Sequence, residues 1–164
     1  MTNDKAEGQT RKNSAPHSSI LILGVGNILL SDEGVGVRVI EVMKGMILPD
    51  DVELLDGGTA LMTLLDSLGN REKVIIIDAV KGGNKPGTLY RFTPAEIGTK
   101  KHMLASLHEI GLLEALAMDE FLGSAPHNVT IYGIEPKELS WGLELSPEVA
   151  AMIPRVIERV LSEL

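Results

Sequence analysis

The 164-residue chain contains no cysteine. That excludes a disulfide framework, a thiolate metal site and a cysteine nucleophile, and it is compatible with the cytosol, the compartment expected here. Aromatic residues make up only 3% of the chain, so its core must be built from Leu, Ile, Val, Met and Ala. Positive charge is in deficit: a net charge of −8 argues against nucleic acid or an anionic membrane as partner, since both want a basic face. No apolar run approaches the length of a membrane span, and the opening residues 1–19 lack the apolar centre of a signal peptide. The sequence has no G-x-S-x-G elbow, no H-E-x-x-H helix and no G-x-x-x-x-G-K-[ST] loop.

What remains is enough for one domain, with a hydrophobic content of 44% and a charged content of 23%. Met1 to Ser19 is polar and aperiodic and reads as a mobile tail, leaving residues 20–164 as a single α/β domain. Its organising stretch is Ile20 to Glu41, ILILGVGNILLSDEGVGVRVIE. The apolar run Ile20–Leu23 has no polar face and predicts a strand buried on both sides. Gly24-Val25-Gly26-Asn27 breaks it, and Ser31-Asp32-Glu33 opens a helix whose apolar face carries Val35, Val37, Val39, Ile40, Met43 and Ile47. Asp32 and Glu33 in a first turn are favoured by the helix dipole alone.

Further along, Val52–Leu55 predicts a second strand, ending at Asp56-Gly57-Gly58-Thr59. Leu61, Leu64, Leu65 and Leu68 form a helical stripe closed by Gly69-Asn70. Val74–Ile77 reads as the central strand, ending at Asp78. Thr88–Phe92 follows after too short a connection for a parallel crossover and is expected to run antiparallel. Capping boxes at Thr93-Pro94-Ala95-Glu96 and Ser106-Leu107-His108-Glu109 open two helices, the second running to about Met118. Val129–Ile134 is the last strand, and Ser146-Pro147-Glu148 starts a final helix that Pro154 should kink. Five strands alternating with helices predict a three-layer α/β/α sandwich on a mixed, mostly parallel sheet with one antiparallel strand.

Three acids stand at or just beyond strand ends: Glu33 (with Asp32), Asp56 and Asp78. If the second and third strands flank the first, strand order reverses there and a crevice opens above it, with Glu33 and Asp78 facing each other across it. His108, near a helix N-terminus reached from the same edge, would complete a Glu/Asp/His set suited to zinc or nickel with positions left open for other ligands. Without metal, the carboxylates would form an acid/base pair. Each residue also has a plainer reading: Asp56 before Gly-Gly is a common turn acid, and His108 alone is an ordinary helix-end histidine. Asp78 is the harder one to dismiss, because an acid ending a wholly buried run needs a partner. His17, His102 and His127 read as loop or tail residues.

The sequence resembles the hydrogenase maturation endopeptidases, which process the large subunit of nickel-iron hydrogenases. The resemblance runs from Ile20 to about Leu161 and is carried by G-V-G-N-I-L-L-S-D-E-G-V-G-V at Gly24–Val37 and L-D-G-G-T at Leu55–Thr59. I-I-I-D-A at Ile75–Ala79, S-L-H-E-I-G-L at Ser106–Leu112 and G-L-E-L-S-P at Gly142–Pro147 complete it. It implies an aspartic-type endopeptidase, by family classification, with a metal site on Glu33, Asp78 and His108 and a role for Asp56 in recognition or cleavage. The implied reaction removes a C-terminal extension from the large-subunit precursor after nickel insertion. The nickel is carried by the precursor (zinc or cadmium could replace it in vitro), and the peptidase is expected to be monomeric. Two other functions compete. One is a nucleotide-binding module using the Gly24/Gly26 loop, weakened because Leu29 stands where the third glycine of G-x-G-x-x-G belongs. The other is a nickel metallochaperone that cuts nothing.

Overall fold

The β-branched run of the third strand lies at the middle of the sheet, as a segment without a polar face must. In the computed structural model, residues 18–59, 65–97 and 107–164 are described, at residues 65 and 107–110 by their backbone alone. The strands are β1 (Ile20–Val25), β2 (Val52–Gly58), β3 (Lys73–Ala79), β4 (Leu89–Phe92) and β5 (Val129–Ile134). Their order is β2-β1-β3-β5-β4. All neighbours are parallel except β4, which pairs antiparallel with β5. β4 thus runs opposite to β3, as its short connection requires, but lies at the far edge beside β5.

Pleating sends alternate side chains of each strand to opposite faces. Ile22, Ile75, Ile77 and Ala79 join Val35, Val39, Ile40 and Met43 of α1 (Val35–Met43), together with Val156, Ile157 and Val160 of α6 (Ile153–Leu161). Leu21, Leu23, Val25, Val74 and Ile76 face Leu68 of α2 (Leu65–Leu68), Ile97 of α3 (Pro94–Ile97), and Leu112 and Ala115 of α4 (Leu107–Leu122). The expected three layers and mixed sheet are therefore present.

Several local details differ from the sequence reading. Ser31–Gly34 forms a 3₁₀ turn ahead of α1. The helix ends at Met43, leaving Ile47 fully exposed instead of on the buried face. The final helix is not a single kinked rod. It breaks into α5 (Pro147–Ala150) and α6, with Pro154 in the first turn of α6, where its missing N–H costs nothing. α4 continues past Met118 to Leu122. Asn70, with φ of 59°, takes the left-handed position after α2 that was assigned to the Gly69-Asn70 pair. In the Thr93–Glu96 box, Glu96 Oε2 accepts from the Thr93 N–H and hydroxyl. Leu61, Leu64, Ser106, His17 and His102 lie outside the described residues, as does most of the expected tail. Ser18 and Ser19, placed in that tail, are tied down: their carbonyls accept bonds from Arg71 and from the Glu72 and Lys73 N–H groups.

The end of the chain is fastened across the sheet through Glu163. Its carboxylate accepts from Arg91 Nε (2.7 Å), the Tyr132 hydroxyl (2.6 Å) and the Thr130 hydroxyl (3.2 Å). Burial pushes Glu163 up, but the bonds from Arg91, Tyr132 and Thr130 outweigh it and hold the group below the ordinary carboxylate value. A carboxyl whose folded pKa is depressed contributes stability above its unfolded value and loses it as pH falls through its folded value. Arg91→Ala should therefore lower the thermal midpoint at neutral pH, and the difference from wild type should close in acid as Glu163 protonates. Arg91 is more than half exposed, so water screens the pair and the expected loss is about 1 kcal/mol or less. Thermal melts of both proteins from neutral to acid pH check this; a difference independent of pH would contradict it.

Candidate active site at the switch in strand order

Strands β2 and β3 flank β1, so strand order reverses at β1 and a crevice opens beyond its carboxyl end. Two glycines let the backbone close in there. Gly26 has φ of +135°, and a Cβ on it would lie 1.8 Å from the Glu33 carbonyl oxygen. A Cβ on Gly36 would lie 2.2 Å from the carbonyl oxygen of Ile77, the residue before Asp78. The glycine pattern thus seats the Glu33 turn and the start of α1 directly over the ends of β1 and β3.

Asp78 occupies the end of β3 and is buried, with Oδ1 accepting the Ala79 N–H at 2.8 Å. It follows Val74 and Ile76 in the pleat, so it belongs to the face that α4 covers. Glu33 is half-buried, and among the described residues its carboxylate has no hydrogen-bond or ion-pair partner. His108 is the second residue of α4, one turn before the buried Leu112. Its side chain lies outside what is described. Among the described residues, no three His, Asp or Glu side chains form a group able to hold a metal ion.

Asp56 is placed differently. It pairs with Gly24 and shares pleat parity with Val52 and Leu54, on the α1 side of the sheet. One oxygen accepts the Gly58 N–H at 2.9 Å, the turn role anticipated for it. The carboxylate also lines a cleft of about 310 Å³ with Gly26, Ile28, Leu29, Val37 and Thr59. Asp56 and Asp78 therefore sit on opposite faces of the sheet, two strands apart.

Asp32 is the residue that sequence reasoning misjudged. It is fully buried. Oδ1 accepts the Ser146 N–H (2.7 Å), and Oδ2 accepts the N–H groups of Lys137 and Glu138 and the Ser146 hydroxyl (2.8, 2.9 and 2.9 Å). Its role is to bind residues 137–146 to the Glu33 turn, not to favour a helix dipole. Those partners are more than a hundred positions away, and no local pattern announces them. Ser31, in the left-handed region at φ of 48°, is held by Gly142 O and Ser140 O. A non-glycine residue in that region costs about 1–2 kcal/mol, and strain of this kind collects at functional sites.

Bonds made by the Gly24–Glu33 loop count against the nucleotide alternative. Gly26 N–H donates to Gly58 O and Leu29 N–H to Asn27 Oδ1. Leu30, Ser31, Asp32 and Glu33 N–H groups are likewise bonded within the protein. Six of the loop's N–H groups are thus spent inside the protein, and few remain to cradle a phosphate.

An α/β sandwich with a glycine-fitted turn and carboxylates at its switch point defines a doubly wound scaffold with a ligand crevice there and none of the usual nucleophile motifs. Comparison with known proteins narrows the class. The profile of the family described as HycI, hydrogenase maturation protease, matches residues 37–163. The chain is 44% identical over 147 residues to the hydrogenase 2 maturation protease of Escherichia coli, covering 88% of this chain and 90% of the relative. It is 38% identical over 155 residues to the hydrogenase expression/formation protein HupD of Rhizobium leguminosarum, covering 91% and 75%. The hydrogenase maturating endopeptidase HybD of E. coli superposes with a TM-score of 0.82 at 44% identity over 88% of this chain and 91% of that one. HybD of Thermococcus kodakarensis does so with 0.72 at 32% identity, over 87% and 97%. The chain belongs to the hydrogenase maturation protease family, and its activity is the hydrolysis of a peptide bond.

Proposed function

We propose that the protein removes the C-terminal extension of a nickel-iron hydrogenase large-subunit precursor, and that Glu33, Asp78 and His108 together engage the nickel the precursor carries. The observation that carries this reading is the β2-β1-β3 order, which sets the Glu33 turn over the strand end that bears the buried Asp78. Glu33 has no partner among the described residues, and an open carboxylate suits a ligand that arrives with the substrate. Two carboxylates and an imidazole match the preference of nickel for nitrogen and oxygen donors. Because the metal belongs to the substrate, cleavage is gated by its presence: an empty precursor lacks the handle that docks the scissile bond.

In the cleavage step a water oxygen adds to the scissile carbonyl carbon while a carboxylate of the set takes the water proton. The C–N bond then breaks and that proton passes to the leaving amine. Asp56, on the other side of the sheet, belongs to the cleft that receives peptide flanking this bond. Mass spectrometry of a large subunit co-expressed with this chain tests the reading. The expected result is loss of the extension with nickel in the medium and retention without it. Equal processing in both media overturns the nickel gate. A partner that gains nickel yet keeps its extension overturns the protease reading in favour of a metallochaperone.

A further inference from the structure

The chain holds a single tryptophan among very few aromatic residues, and the structure exposes it: Trp141 is 81% accessible, beside Leu143 at 58%. Leu29 at 47% and Ile28 at 37% lie next to them, because Gly142 N–H donates to Leu29 O and Ser31 N–H to Gly142 O. These side chains do not sit on a loose loop. Asp32 holds Lys137, Glu138 and Ser146, Ser31 Oγ donates to Ser140 O, and Arg38 donates to Leu143 O at 3.0 Å. A Cβ on Gly142 would lie 2.7 Å from Ser31 Oγ, so the loop is pressed against the turn that carries Glu33.

Contiguous exposed apolar surface marks an interaction site. Aromatic anchors near the centre of such a site carry much of the binding energy, and an anchor whose backbone is already held has less ordering cost to meet on binding. The patch is continuous with the candidate site on both sides: Ile28 and Leu29 also line the cleft over Asp56, and Ser31, bonded to Gly142, begins the Glu33 turn.

We propose that Trp141, Leu143 and Leu29 form a preformed platform that docks an apolar surface on the folded body of the protein substrate, so that its metal and scissile segment reach Glu33 and Asp78. This rests on the reading above that the substrate is a hydrogenase large-subunit precursor. It assigns affinity for the substrate's body to a surface separate from the residues that meet its metal.

The test uses the full chain and nickel-loaded precursor. Trp141→Ala should raise KM for processing about tenfold to thirtyfold, with kcat within about twofold of wild type. The thermal midpoint should stay close to wild type, since the side chain is exposed. An unchanged KM, or a fall in kcat at constant KM, overturns the proposal. In the wild-type chain labelled with 5-fluorotryptophan, the single fluorine resonance should shift or broaden when unlabelled precursor is added; an unmoved resonance overturns it. Self-association in sedimentation that disappears in Trp141→Ala overturns it in favour of a second copy as the occupant. Failure of the wild-type chain to process any precursor overturns the underlying reading instead, and the fluorine titration then decides the platform by itself.

Discussion

Asp78→Asn is expected to reduce processing of nickel-loaded precursor by about a thousandfold or more, the scale on which loss of one charged group at a reacting centre is felt. The substitution is close to isosteric. Asn keeps a carbonyl oxygen to accept the Ala79 N–H that Asp78 Oδ1 now accepts, while the negative charge is lost. Processing measured by mass change, alongside urea unfolding of the same variant, separates a chemical effect from a folding one. A wild-type rate in a folded variant would remove Asp78 from the site. Asp56→Asn is the natural comparison. Its carboxylate lies on the other pleat face and keeps its turn bond to Gly58 through one oxygen, so its effect should fall on substrate affinity more than on turnover.

Much of this arrangement was legible in the sequence because it depends on local pattern. A β-branched run without polar positions could only be central, and Val74–Ile77 is. The short link from Asp78 to Leu89 could not accommodate a parallel crossover, and β4 is antiparallel. Glycines at 24 and 26 read as a turn, and the structure adds the reason and a third member, Gly36 in α1: together they allow the Glu33 turn and α1 to approach the β1 and β3 backbones. Boundaries were harder. Pro154 was read as a kink, yet a proline can equally begin a helix, and here it does. What stayed hidden was the network made between distant segments. Glu135 is buried and accepts the N–H groups of Gly82, Gly83 and Asn84 with the Tyr90 hydroxyl. Arg71 is buried and reaches Ser18 O, Ser67 O and Glu53. Charged residues in such roles look in sequence like any solvated acid or base, and only the fold reveals that burial has made their partners obligatory.

The same reasoning makes Asp32 the most sensitive structural position near the site. Asp32→Ala would leave the Lys137, Glu138 and Ser146 N–H groups without their acceptor. A buried group left unsatisfied costs about 1–3 kcal/mol, and here three such groups lose one acceptor together. Against the total of about 5–15 kcal/mol typical of a domain, that is a large fraction. Asn should rescue little. Its single carbonyl oxygen can replace Oδ1 or Oδ2 but not both, and its amide group would then point donors at donors. Urea unfolding should show comparable losses for both variants, and hydrogen exchange should show the Lys137, Glu138 and Ser146 amides opening first. Because those bonds also fix Trp141 and the Glu33 turn, processing should fall even under conditions where the variants remain folded. A loss below about 1 kcal/mol with those three amides still protected would mean that residues 137–146 hold their place without the carboxylate, and that the site owes its shape to Gly142 and Ser31 instead.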